Sequence, residues 1–264
     1  MLVISLLEHF LLTQLFTFLI LFTRIGTCLM IVPAIGDVYV MPRIRLLLAL
    51  AISLLITPML QETMPKIPGN PILLTGMLAA EILTGALFGT LVRMILSAMN
   101  TAGTIIANQS SLAIASIFEA TAGVQTAIVS NFFTLGAIAI FFVMNLHHVL
   151  FAAIINSYQT FPAGIFLDLG DGSDLLARRL GDAFLLGVQF SAPHIVMSLI
   201  FYLAGGVMSR MMPSFQVFFV MMPPQVTLAL LLLIIIIAPM MTIYANYMES
   251  HLLELTSSVA THER

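Results

Sequence analysis

Charges set inside apolar segments are the first residues in this chain that could do chemistry, and three qualify: Arg24, Glu81 and Arg93. Each costs about 2.5 to 3.5 kcal/mol at the centre of a membrane helix and must face protein or water. Such groups can form a proton or solute path, or they can be contacts that hold helices together. Glu81, Gly85, Gly89 and Arg93 step by four, so they share one helical row, in which Gly85 and Gly89 form a GxxxG pair that lets a neighbouring backbone come close. Glu81 and Arg93 lie about 18 Å apart along a helix, too far to pair with each other. Arg24 is the candidate partner of Glu81.

Other reactive types are arranged less favourably. His147 and His148 are adjacent and point about 100° apart on a helix, a poor geometry for holding one metal. Asp168, Asp171 and Asp174 do not follow the alternating ligand spacing of a calcium loop and are expected in a solvated turn. Cys28, the single cysteine, lies in an apolar stretch and is expected to be a small buried hydrophobe. No GxxxxGK[ST], HExxH or GxSxG occurs, so no catalytic residue, metal ligand or cofactor is expected and the chain is not read as an enzyme.

A different kind of signal runs from Asn108 to Thr126, NQSSLAIASIFEATAGVQT, where small and polar residues replace bulky aliphatics. Gln109, Ser110, Ser111, Leu112, Ala115, Ile117, Phe118, Glu119 and Gly123 make this segment suited to a movable plug or pore-lining loop; an ordinary connection between two hairpins fits equally well. Methionine is abundant, with 18 residues, and Met208, Met211, Met212, Met221 and Met222 crowd around one loop. Unbranched thioethers repack easily, so they can seal around a deforming substrate or simply fill gaps.

The elements that must position these residues follow from composition. Of 264 residues, 60% are hydrophobic and 8% charged, a balance that cannot clothe a water-facing surface, so lipid is the main solvent. The net charge of -3 and the scattered basic residues exclude a nucleic-acid footprint. A span needs roughly 20 apolar residues. About six long segments approach or exceed that: 10–32, 46–60, 71–106, 127–160, 183–208 and 217–248. The first has no basic region before it and no small-residue cleavage site, and is expected to be retained. The third and fourth are too long for one perpendicular span and must tilt, project or break. Pro193, Pro223, Pro224 and Pro239 predict bent helices whose freed carbonyls are satisfied by protein.

The expected fold is therefore all-α, a single polytopic membrane domain over 1–264. It comprises a four-segment part, 1–160, which contains the 108–126 loop, then a polar connection, 161–182, a C-terminal helical hairpin, 183–250, and a polar tail, 251–264. A small-solute secondary transporter is one function such a chain could have, since charged residues and Gly-interrupted helices near mid-membrane suit a binding site.

Four segments, in order, resemble the FliR family of flagellar-type export-gate proteins and its counterparts in virulence-type type III secretion. TRIGTCLMIVPAIG followed by MPRIRLLLALAIS is similar to the family's first segment, turn and second-segment entry through Arg24, Gly26, Pro33, Gly36, Pro42, Arg43 and Arg45. Gln109, Ala115, Phe118, Glu119, Gly123 and Gln125 resemble its plug loop, with Ser111 and Ala113 standing where the pattern has glycine, and Glu119 and Ala120 where it has Asp-Pro. NLHHVLFAAIINSYQTFPAG is similar to its fourth segment through His147, Ser157, Pro162 and Gly164, and RMMPSFQVFFVMMPP resembles the loop joining its last two segments through Arg210, Pro213, Gln216, Val217 and Pro223. The resemblance implies one copy assembled with FliP-like and FliQ-like subunits into a helical ring, contact with a FlhB-like subunit, and passage of unfolded flagellar proteins across the bacterial cytoplasmic membrane at the basal body. It also implies that the loops holding Arg43, Arg45, Arg210 and Pro213 meet partners and face the cytoplasm.

Overall fold

The computed structural model describes residues 2–37, 40–111, 128–166, 169–212 and 216–260. Among the described residues the only regular structure is helical. The helices are α1 (Leu2–Ile31), α2 (Pro42–Leu60), α3 (Pro71–Gln109), α4 (Ile128–Val143), α5 (Leu146–Thr160), α6 (Leu169–Met211) and α7 (Val217–Ala260), with a 3-10 turn at Gln61–Thr63. Five are long and apolar enough to cross a membrane, and a sixth span arises if α4 and α5 count as one. The chain is an all-α polytopic membrane protein.

Local chemistry accounts for several helix ends. Pro42 and Pro71 each open a helix, where a missing N–H costs nothing and the fixed φ is already helical. Asn70 caps α3 by accepting the Ile72 N–H on its Oδ1 at 2.9 Å. Of the two over-long apolar regions, 71–109 runs unbroken, about 58 Å at 1.5 Å per residue. The region 128–160 breaks at Asn145, which adopts a left-handed φ of 57°, a conformation asparagine tolerates better than most residues. Pro58, Pro193, Pro223, Pro224 and Pro239 all lie inside helices, and the Thr227 hydroxyl donates to the Pro223 carbonyl at 2.9 Å.

One expectation is corrected. Asp171 and Asp174, read with Asp168 as a solvated turn from their spacing, lie in the opening turns of α6. Further along the helix, the Arg179 guanidinium donates to Glu254 at 2.6 Å and reaches His251 Nδ1 at 2.5 Å, both on α7. Asp171 in the first turn and Arg210 in the last also complement the helix dipole. Asp168 lies outside the described residues.

The chain divides into two compact units. The first, residues 1–94, 145–179 and 250–264, buries Ile20, Leu21, Ile25, Leu29, Leu91 and Val92. The second, 95–144 and 180–249, buries Ile95, Met99, Phe133, Phe141 and Tyr244.

Candidate functional site

In the first unit, α1, α3 and α5 converge on one buried ion pair. Arg24 Nε donates to Glu81 Oε2 at 2.7 Å and Arg24 Nη2 to Glu81 Oε1 at 3.1 Å, and each side chain is 1% exposed. Arg24 Nη1 donates to Ser157 Oγ at 2.8 Å and Nη2 to the Phe161 carbonyl at 3.0 Å. The guanidinium carbon sits 3.6 Å from the Tyr158 ring centroid, within cation–π range. Glu81 is equally well served, accepting the Tyr158 hydroxyl at 3.3 Å and the Gly164 N–H at 2.9 Å besides Arg24. Four donors therefore meet a carboxylate with about four lone-pair sites. Gly164 delivers its N–H from a φ of 80°, which side chains rarely adopt.

Such a node does not bring net stability over apolar packing of the same shape, but a missing partner would leave an uncompensated charge among apolar side chains. Its effect is to fix the register of three helices. The glycine row serves the same approach. A Cβ on Gly85 would stand 2.3 Å from the Arg24 carbonyl oxygen, and one on Gly89 2.8 Å from Ile31 Cβ. These glycines let the α3 backbone lie against α1 closely enough for Glu81 to reach Arg24.

Arg93 is on the same helix but not in the node. It is exposed and lies 3.6 Å from Asp37. Arg45 folds back over the turn before α2, donating to the Gly36 carbonyl at 2.7 Å, to the Val40 carbonyl at 2.9 Å and to the Asp37 carbonyl. Arg43 and Arg210 are exposed at helix ends, and Pro213 lies outside the described residues.

The second unit holds the root of the small-residue segment. Gln109 is the last residue of α3, Ser110 is buried with its hydroxyl on the Ile106 carbonyl at 2.6 Å, and Ser111 has φ 60° at a position where the resembled pattern has glycine. Leu112, Ala115, Ile117, Phe118, Glu119 and Gly123 lie outside the described residues. Beside Ser111 is a cavity of about 150 Å³ lined also by Phe201, Gly205, Met221, Met222 and Gln225. Met208, Met211 and Met212 are exposed. His147 and His148 have ring centroids 4.2 Å apart, and among the described residues no three His, Cys, Asp or Glu side chains cluster as metal ligands would.

Sequence reasoning brought Arg24, Glu81, Gly85 and Gly89 into view, the family resemblance named Ser157 and Gly164 without a role in the node, and Tyr158 and the Phe161 carbonyl were missed. A tyrosine in an apolar helix two residues after Asn156 was the available signal, since a buried hydroxyl needs a polar partner. Backbone groups, donor or acceptor, carry no signal in side-chain pattern.

Residues 15–251 match the family described as bacterial export proteins, family 1. The chain belongs to that family. Members similar to this export protein include the flagellar biosynthetic protein FliR of Caulobacter vibrioides, 35% identical over 210 residues that cover 80% of this chain and 84% of the relative. The flagellar biosynthetic protein FliR of Bacillus subtilis is 28% identical over 78% of this chain and 80% of its own. The Yop proteins translocation protein T of Yersinia pestis is 27% identical over 79% and 81% respectively. In this export-family protein, both carboxylate oxygens of the Arg24–Glu81 node already have donors within 3.3 Å.

Proposed function

We propose that this chain is a core, non-enzymatic subunit of a flagellar type III protein export gate. It assembles with FliP-like and FliQ-like subunits and meets a FlhB-like one, forming the conduit for unfolded flagellar proteins across the cytoplasmic membrane at the basal body. The observation that carries the reading is the family match over 15–251, joined to flagellar relatives that align along most of their length. Surface chemistry supports it. The span Phe219–Glu254 has only 11% of its apolar window buried, and Pro42–Thr63 only 22%, so large apolar faces await lipid or other subunits.

A secondary transporter needs polar groups left open for its solute, whereas the buried charges of the first unit are saturated by their own neighbours. The likeness to the Yersinia translocation protein keeps the equivalent virulence-type subunit as the second reading.

In this reading the segment from Gln109 through Gly123 is the plug, and the Met-rich surroundings resist ion leakage while a polypeptide passes. Deleting Leu112–Ala122 is expected to make membranes leak small ions while the complex still assembles. Unchanged conductance in an assembled mutant counts against the plug. Affinity purification of the chain from gently solubilised membranes is expected to bring down other small membrane subunits. A stable monomer that moves a small metabolite alone would refute the export reading.

A further inference from the structure

The last residue of α3 is held by two neutral hydrogen bonds from two different helices. Ser198 of α6 donates its hydroxyl to Gln109 Oε1 at 2.6 Å, and Gln225 of α7 donates Nε2 to the Gln109 carbonyl at 2.9 Å. That carbonyl belongs to the final turn of a helix, where no intrahelical partner exists, so Gln225 serves as the C-terminal cap of α3. Both donors are buried, Ser198 at 2% and Gln225 at 5% exposure, and Gln225 lines a cavity together with Ser111, Phe201, Tyr202, Gly205, Met221 and Met222.

Three features make this joint able to yield. Pro223 and Pro224, two and one residues before Gln225, remove two N–H groups from α7 and free the carbonyls of Phe219 and Val220, which loosens the helix locally. The adjoining cavity of about 150 Å³ has room for several water molecules, and Gln225 and Ser111 are on its lining, so water can take over the bonds when they part. Magnitudes point the same way. A neutral hydrogen bond favours its closed state by about a factor of five, whereas parting a buried ion pair such as Arg24–Glu81 costs a factor of several hundred or more.

We infer that Ser198 and Gln225 are the positioning residues of a latch that holds the end of α3 in the closed conduit, and that release of these two bonds accompanies opening. The inference rests on the export-gate reading. It goes beyond the plug assignment because it concerns how the first residue of that segment, Gln109, is anchored to α6 and α7.

The test uses the chain in its native complex, purified from membranes and reconstituted into liposomes loaded with potassium, with efflux expressed per assembled complex. Ser198→Ala and Gln225→Ala are each expected to raise efflux about five-fold, and the pair together about 25-fold, because the bonds involve different atoms of Gln109. Gln109→Ala combined with Ser198→Ala is expected to leak no more than either alone, since both remove the same bond. Ser198→Thr, which keeps the hydroxyl, is expected to restore the native rate. The latch is overturned if Ser198→Ala and Gln225→Ala complexes leak within two-fold of native, or if neither complex can be isolated, since the bonds would then hold the fold and not a gate. Failure of the export reading looks different: a strain lacking the chain would still secrete flagellar subunits.

Discussion

The Arg24 guanidinium and the Glu81 carboxylate, 57 residues apart in the chain, meet through two hydrogen bonds of 2.7 and 3.1 Å, with neither side chain open to solvent. The pair joins α1 to α3, and Ser157, Tyr158 and the Gly164 N–H bring in α5 and the turn behind it. Removing one charge strands the other. Arg24→Ala or Glu81→Ala is therefore expected to lower stability by about 3 to 5 kcal/mol, and the double change to Met and Leu to recover most of it. Denaturation of the detergent-solubilised protein measures both, and a double variant no better than the singles would contradict this account.

Tyr158 contributes through two separable features, its hydroxyl on Glu81 and its ring against Arg24. Tyr158→Phe is expected to cost about 1 kcal/mol, one hydrogen bond. Tyr158→Leu should cost more, because the cation–π contact goes as well. The same denaturation assay ranks them.

Gly85 and Gly76 lie on one helix in different surroundings. A methyl on Gly85 would collide with the Arg24 carbonyl oxygen at 2.3 Å, whereas one on Gly76 meets nothing within 4 Å. Gly85→Ala is expected to destabilise by about 1 to 3 kcal/mol as α1 is pushed off. Gly76→Ala should be neutral or stabilising by up to about 1 kcal/mol through helix propensity. Equal effects at the two positions would remove the close-approach argument.

Arg179, His251 and Glu254 fasten the start of α6 to the end of α7, but Glu254 is 55% exposed. An exposed pair holds weakly, so Glu254→Gln is expected to cost less than about 1 kcal/mol, and raising salt should shrink even that difference. Arg179→Ala should cost more, since it also abandons His251. Thermal unfolding of the complex at low and high ionic strength separates the two.

Much of the helical architecture is legible because apolar length and proline placement are local properties. Pro42 and Pro71 open helices, the third apolar region is too long for one perpendicular span, and its Glu81–Gly85–Gly89 row lies on one face by arithmetic alone. The turn expected around Asp171 and Asp174 proved to be helix for a matching reason. Aspartates spaced by three favour turns and caps over helix interiors locally, and the contacts from Arg179 to His251 and Glu254, which add only weak support, come from about 75 residues away. The break at Asn145 was anticipated as one outcome for an over-long segment, while its position depended on a single left-handed residue.

The amino-acid sequence by itself determined that this is a lipid-embedded helical protein of the export family, because solvent preference, span length and family motifs are carried by residue types in order. Tertiary structure alone decided which polar groups satisfy one another. Arg24 had a candidate partner in Glu81, but the Tyr158 hydroxyl and the Phe161 and Gly164 backbone groups enter the node only once the chain has folded. Gln109, Ser198 and Gln225 likewise come together from three helices. Hydrogen bonds depend on direction and on distances of about 3 Å, and residue order specifies neither across 100 intervening positions.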